Sequence, residues 1–317
     1  MKIHYRIRKD QIEIVRCFGA DPQIVLPEQI GGLAVTQTAA YAFSDRKGTE
    51  EEDVLVFETE EHRMFRDEEI LLAGEAVESV AFPDTMQKIG RYVFYGCRNL
   101  KELSFSDQLE DIGSGAFTGC RSLNRLEVNL TEGERTCVKE ILGELWQRID
   151  VTLRKGAEEA RLVFPEHYEE AVENTPARIL FTEHHGSGNN YRQCFYNKEN
   201  DFRKYDSLFF LAKAQDKTEV LTDLVFSRLM YPAELTKDAE AEYESYVREH
   251  QAEVLQYLTD TKNMAVLREI ARRDLWEKDA LSGAADHAAR TGHREVLSFL
   301  MEEKHRRFPE KRKKYEL

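Results

Sequence analysis

One stretch of twelve residues collects the side chains of nucleophilic chemistry: Glu183-His184-His185-Gly186-Ser187-Gly188-Asn189-Asn190-Tyr191-Arg192-Gln193-Cys194. A histidine beside a cysteine can take the thiol proton, and the thiolate then attacks a carbonyl or phosphoryl centre. With His184 as base and Cys194 as nucleophile, the expected reaction class is a hydrolase or transferase. Two features weigh against it. No local signature of a known cysteine enzyme surrounds Cys194. The Gly-Ser-Gly segment has neither P-loop spacing nor a GxGxxG pattern opening a helix, so it does not read as a phosphate cradle. The competing reading is a glycine-rich connection leaving a strand, with Tyr191, Cys194 and Phe195 turned inward.

The other thiols are Cys17, Cys97, Cys120 and Cys137, five cysteines in all with Cys194. The number is odd and no CxxC pair occurs, which argues against a disulfide framework and a tetrahedral zinc site. No metal and no cofactor is expected. Cys97 and Cys120 read as small buried hydrophobes.

The elements that position these residues are set by a repeat. Ile89-Gly90 returns as Ile112-Gly113, 23 residues later. The same offset carries Phe94 onto Phe117, Gly96 onto Gly119, Cys97 onto Cys120, Leu100 onto Leu123 and Leu103 onto Leu126. Val77, Val80 and Phe82 stand one step before Leu100, Leu103 and Phe105. Glu102–Ser106 and Arg125–Asn129 alternate polar and apolar, the period of a half-buried strand. Leu103 and Phe105 are predicted to point into the coil, with Leu126 and Val128 stacked on one side and Val80 and Phe82 on the other. One such unit cannot bury its apolar face alone, so neighbours must stack. Gly96 and Gly119 are expected at tight bends.

The segment Ile89-Gly-Arg-Tyr-Val-Phe94-Tyr-Gly96-Cys97-Arg-Asn-Leu100-Lys-Glu-Leu103 resembles the BspA-type leucine-rich repeat, whose pattern is IGxxAFxxCxxLxxLxLPxxLxxI, and Ile112–Leu126 is similar again. The stretch from Ile24 through Pro27, Ile30 and Val35 to Tyr41-Ala42-Phe43 resembles that family's opening unit. The resemblance covers about residues 20–130 and implies a leucine-rich-repeat solenoid used for binding. Residues 44–70, with the acidic run Glu50-Glu51-Glu52-Asp53, break the register, so one repeat is expected to be expanded. The family is often secreted or surface-exposed.

Charge narrows the partner. The chain has 317 residues and a net charge of −14, the wrong sign for a general binder of phosphate backbones, so no nucleic acid is expected. Basic residues concentrate only near the end, at Lys304–Arg307 and Lys311–Lys314, read as a solvated tail with, at most, a weak contact for an acidic partner. The first ten residues carry recurring charges rather than an unbroken apolar run, so they do not read as a secretory signal, and no run reaches the length of a membrane span. A cytoplasmic location without membrane insertion follows, or the cell surface if a leader has been removed.

Beyond the repeat, Val138, Ile141, Leu142, Leu145 and Ile149 have helical spacing over 138–148. Short apolar runs at Val151–Leu153, Leu162–Phe164 and Ile179–Phe181 read as strands continuing or capping the repeat sheet. From Tyr205 the chain reads as helical. Leu281–Leu300, with Ala288-Ala289, Gly292-His293 and Glu295-Val296-Leu297, is similar to an ankyrin repeat. A related stretch at Ala212 and Glu219–Leu221 lies 76 residues earlier, and Lys262–Leu267 is a weaker copy. His293 is expected in a turn.

The expected architecture is an α/β repeat protein: a leucine-rich-repeat domain over 1–130, a mixed α/β cap over 131–200, ankyrin-like helical hairpins over 201–305, and a disordered basic tail over 306–317. The expected function is a non-enzymatic protein–protein interaction scaffold. Its contact face is expected to be the outward strand residues Ser79, Ala81, Glu102, Ser104, Arg125, Glu127 and Asn129, a mixed-polar set suited to a wet interface. A secreted or surface adhesin of the BspA type and the His184/Cys194 enzyme are the alternatives.

Overall fold

A computed structural model describes residues 1–46, 53–59, 70–174 and 179–309. The chain forms two compact units, Met1–Gln215 and Asp216–Leu317.

The first unit opens on a hairpin, β1 (Lys2–Arg8) and β2 (Gln11–Phe18). Ile3 lies opposite Cys17 and Ile7 opposite Ile12. Lys9 and Asp10 form the turn with φ of 50° and 61°, the left-handed values whose twist suits a two-residue hairpin. Ile3, Ile12, Ile14 and Cys17 are fully buried. The period of two in Ile3-His4-Tyr5-Arg6-Ile7 is the sequence signal for these strands. A solenoid end exposes an apolar coil, and this hairpin covers it by pairing β2 with the first coil.

That coil runs through β3 (Gln23–Val25), β4 (Gln29–Ile30) and β5 (Leu33–Thr38). The chain then departs, and β6 (Leu55–Glu58) pairs antiparallel with β1. Later coils supply β7 (Ser79–Ala81), β8 (Lys88–Ile89), β9 (Glu102–Ser106), β10 (Asp111–Ile112) and β11 (Arg125–Asn129). One wall of the solenoid is a ladder in which β3, β7, β9 and β11 run parallel and in register. The opposite wall takes β10, β8 and β5 and runs on into β2, β1 and β6.

The repeat period becomes stacking between coils. Val80, Leu103 and Leu126 form one buried row. On the turn side Phe43, Phe94 and Phe117 stack at centroid separations of 5.3 and 5.6 Å. Burial of each ring is worth about 1.5–3 kcal/mol. The Cys97 thiol donates to the Phe43 carbonyl at 3.1 Å, and the Cys120 thiol to the Phe94 carbonyl at 3.3 Å. Phe43 meets Phe94 directly although 51 residues separate them. The expanded repeat is therefore an excursion that leaves the coil after Ser44 and returns to it. Glu50–Glu52 lie outside the described residues, and Asp53 is exposed. Gly96 and Gly119 have φ of +81° and +87°, the left-handed bend expected of them.

The last coil ends in α1 (Val138–Gly143), shorter than the helix expected over 138–148. Past Gly143 the polar side chains serve the coil beneath instead of extending a helix. Glu144 accepts from the Phe117 amide at 2.9 Å, and the Gln147 amide group donates to the Cys120 and Leu123 carbonyls at 2.9 and 3.0 Å. Ile149 opens β12 (Ile149–Lys155), which adds parallel to β11, and β13 (Glu158–Phe164) closes the sheet antiparallel. The runs at 151–153 and 162–164 thus continue the repeat sheet. The run at 179–181 belongs to a separate hairpin, β14 (Tyr168–Asn174) with β15 (Ile179–His185).

The cap follows with α2 (Gly188–Tyr191), β16 (Phe195–Tyr196), β17 (Glu199–Asn200), α3 (Phe202–Ser207) and α4 (Phe209–Gln215). Its core is aromatic. Phe164 stacks on Phe195 at 5.8 Å, Tyr205 meets Tyr191 edge-on at 4.7 Å, and the Tyr205 hydroxyl donates to the Val163 carbonyl at 2.6 Å.

The second unit holds α5 (Thr218–Met230), α6 (Lys237–Glu249), α7 (Gln251–Asp260), α8 (Met264–Arg272), α9 (Lys278–Thr291) and α10 (Arg294–Arg307). Helix α9 packs on α7 and α10. Its buried face carries Ala284, Ala285 and Ala288, small residues that allow close approach. Gly292 ends α9 with φ of +75°, the left-handed cap that releases a helix into a turn. His293 occupies that turn, at the start of α10. Arg273 joins helices by pairing with Glu240 and Glu244 at 2.7 and 2.8 Å and donating to the Leu229 carbonyl at 2.8 Å. Lys304–Arg307, expected in a solvated tail, instead form the last turn of α10, where Arg306 and Arg307 pair with Glu303, and Lys311–Lys314 lie outside the described residues.

Candidate interaction surface

Alternation on the parallel strands fixes which side chains leave the core. Val80, Leu103, Phe105, Leu126 and Val128 are buried, so the residues alternating with them face outward, apart from Ser106, which is buried at the end of β9. Registration places Ser79 beside Glu102 and Glu102 beside Arg125, then Ala81 beside Ser104 and Ser104 beside Glu127. Asn129 ends β11 beside Ser106. All seven residues expected from sequence therefore share one face. Arg125 and Asn129 are exposed, and the other five are half-buried by their neighbours.

The face extends further than those seven. Val25, on β3 beside Ala81, is 68% exposed, unusual for a valine. On β12, Asp150 continues the Arg125 row and Arg154 the Asn129 row. The signal was the same alternation, since Ile24 is core and Val25 is therefore outward.

Charges on this face are paired. Arg125 meets Glu102 at 2.8 Å, Arg148 meets Asp150 at 2.8 Å, and Arg154 bridges Glu127 and Glu159. The Asn129 amide donates to Asp84 at 3.0 Å. Several pairs repeat at the offset of the coil: Arg98–Glu75, Lys101–Glu78 and Arg125–Glu102 are each 23 residues apart. An exposed pair contributes about 0–1 kcal/mol, so the ladder sets charge pattern more than stability. Asp107 fastens the loop at the end of β11. Burial pushes its carboxyl upward, but donation from the Thr131 hydroxyl at 2.6 Å and from the amides of Thr131, Glu132 and Gly133 outweighs this and holds it below the usual carboxylate range.

The sequence-derived nucleophile and base take separate roles. Cys194 is 2% exposed, follows α2, and directs its sulfur at the Asn190 carbonyl. Burial pushes its thiol up to about 12, and the charged groups acting on it are Lys204, Asp201 and Asp206. His184 sits on β15, exposed, with Nδ1 3.4 Å from Glu169 across the hairpin. Tyr191 and Phe195 are buried, matching the inward-packing reading of this loop. The other four thiols are also buried, and burial raises each of them. All five are expected to resist iodoacetamide in the native protein and to react after denaturation, read by mass spectrometry. Fast native labelling at Cys194 would contradict this account of the loop.

Among the described residues, no group of three or more histidine, cysteine, aspartate or glutamate side chains is placed to hold a metal ion, and no helix is long and apolar enough to cross a membrane.

Residues 71–139 match the family model described as "BspA type Leucine rich repeat region (6 copies)". Two solved structures are similar. A leucine rich cell surface protein from Faecalibacterium prausnitzii is 20% identical over 41% of this chain and 35% of its own, with a TM-score of 0.25. The leucine rich repeat protein of T. pallidum is 21% identical over 42% of this chain and 72% of its own, with a TM-score of 0.21. The chain thus spans about a third of the length of the first of them. No curated protein matches. Coil stacking, the parallel ladder and the family match coincide on one segment, and residues 71–139 are a leucine-rich-repeat region of the BspA type.

Proposed function

We propose that the protein is a non-enzymatic scaffold that binds another protein through the outward face of the β3–β12 ladder, with ankyrin-like helical hairpins as its second module. The carrying observation is the alignment of Ser79, Ala81, Glu102, Ser104, Arg125, Glu127 and Asn129 in register on one face, extended by exposed Val25. Repeat solenoids offer such extended surfaces to macromolecules. The face combines an apolar end at Val25 and Ala81 with paired charges at Arg125 and Arg154, which suits a polar, hydrated protein interface.

Simple charge reversal would set Arg125→Glu against Glu102. The double variant Glu102→Arg with Arg125→Glu keeps the pair and inverts its pattern. Cross-linking and affinity capture from the native cell are expected to lose the partner about tenfold in this variant, and similarly in Val25→Asp, with melting unchanged. Equal recovery by wild type and both variants would remove this face from consideration.

The location that goes with this reading is the cytoplasm. The family match of residues 71–139 favours a second reading, a surface adhesin of the BspA type. Protease shaving of intact cells separates them, since only a surface protein is cut.

A further inference from the structure

We propose that the groove between α8 and α10 binds an acidic peptide segment of a partner protein, one whose carboxylates flank an apolar side chain. This cavity, of about 550 Å³, lies within the helical unit and is lined by Arg268, Arg272, Arg306 and Arg307, with Glu303 and Phe299. Four guanidinium groups line it, and Glu303, Glu269 and Asp274 pair with Arg306, Arg272 and Arg307. Four cations against three carboxylates leave the groove positive in a chain whose net charge is −14.

Two buried carboxylates hold the arginines in place. Glu303 is 5% exposed and accepts from Arg306 at 2.7 Å and Arg307 at 2.9 Å. Glu269 is 8% exposed and accepts from Arg272 at 2.7 Å. A guanidinium carries five N–H donors in a rigid fork, so these contacts orient Arg272 and Arg306 without exhausting them. Arg272 and Arg306 stay 66% and 60% exposed. Arg268, one turn before Arg272 on α8, has no ion-pair or hydrogen-bond partner among the described residues and is exposed. Oriented guanidinium groups recognise planar carboxylates through paired hydrogen bonds.

The cavity is far larger than a single small anion needs. Half-buried Phe299 gives it an apolar wall. A peptide with acidic residues on either side of an apolar one meets both features. A nucleic-acid strand is held by repeated phosphate contacts along a basic track, whereas in this groove Arg272, Arg306 and Arg307 are already paired with carboxylates.

The test uses the full chain and fluorescence anisotropy at low salt. The probe is a fluorescein-labelled peptide of aspartates and glutamates around one phenylalanine, and its counterpart has asparagine and glutamine in their places. Saturable binding of the acidic probe is expected, with little binding of the amide probe. Arg268→Glu should weaken it about tenfold, whereas Arg290→Glu, on α9 and away from this cavity, should leave it unchanged. The exposed Arg268 side chain makes no hydrogen bond or ion pair among the described residues, so the variant is expected to keep the wild-type circular dichroism. Any of three results overturns the proposal: no saturable binding, equal weakening by both variants, or displacement of the peptide by inorganic phosphate where chloride at matched ionic strength leaves it bound.

Discussion

Gly113→Ala is expected to destabilise the first unit by about 3 kcal/mol or more, near the upper end of overpacking costs. A Cβ on Gly113 would lie 2.2 Å from the Arg91 nitrogen and 2.4 Å from the Gly90 carbonyl carbon. On Gly90 it would lie 2.4 Å from the carbonyl carbon and oxygen of Ala39. These are backbone atoms of the preceding coil, and that coil cannot withdraw. The Gly113 amide donates to the Ile89 carbonyl at 2.9 Å, and the phenylalanine stack fixes the coil spacing. The Ile-Gly dipeptide of the repeat is therefore where one coil rests on the next. Gly119→Ala provides the contrast. Its Cβ would approach nothing closer than 3.4 Å, but its φ is +87°, so the cost is conformational, about 1–2 kcal/mol. Trp146 lies in the first unit and Trp276 in the second, so urea melts of both variants in a Trp276→Phe background read the first unit alone. Equal losses at the two glycines would sink the steric account.

The fold was legible wherever structure repeats in sequence. An offset of 23 residues registers side chains across coils, so Leu103 on Leu126 and Phe94 on Phe117 follow from reading one line against itself. Cys97 and Cys120 follow as well, since equivalent positions in stacked coils share a core. The outward face follows from period-two alternation, although in the apolar run Ile24-Val25-Leu26 no polar residue type marks Val25 as outward, and its place shows only once Ile24 is registered with Val80. The β1–β2 hairpin lay outside the repeat and had only its own alternation to announce it. The early end of α1 was not legible. Ile149 satisfies the helical spacing yet starts a strand, because Glu144 and Gln147 are recruited by Phe117, Cys120 and Leu123 of the coil below. Local periodicity carries no information about that tertiary competition. The His184/Cys194 segment shows the same limit: residue types adjacent in sequence suggest chemistry, while His184 pairs with Glu169 on β14, the Cys194 thiol turns to the Asn190 carbonyl in α2, and Arg192 takes its partners from α1, the turn after it and the chain leaving β13.

Those partners make Arg192 the residue of that segment with the largest expected effect. It is 4% exposed and donates to five carbonyls: Leu142 and Leu145 at 3.2 Å each, Pro165 at 2.6 Å, Gly188 at 3.1 Å and Gln147 at 2.7 Å. Burial pushes its guanidinium down to about 10, so it keeps its charge at neutral pH and all five bonds are made to a cation. The carbonyls come from the end of α1, the turn after it, the chain leaving β13 and α2, segments that no backbone ladder joins. Arg192→Met keeps much of the volume and removes every donor, leaving carbonyls dry and unpaired at about 1–3 kcal/mol each where water cannot reach them. A net loss of about 4 kcal/mol is expected, at the scale of breaking a buried charged network. Arg192→Lys should fare nearly as badly, because a compact ammonium has three donors and cannot span carbonyls on opposite sides of a planar fork. The same loss should free Cys194, two residues away, to react with iodoacetamide at low urea, where the wild-type thiol stays protected. A general fall in stability without early exposure of Cys194 would assign Arg192 a diffuse packing role. Melting within about 1 kcal/mol of wild type, the scale of a single surface contact, would mean that the five carbonyls find other donors and that the cap is held by its aromatic core alone.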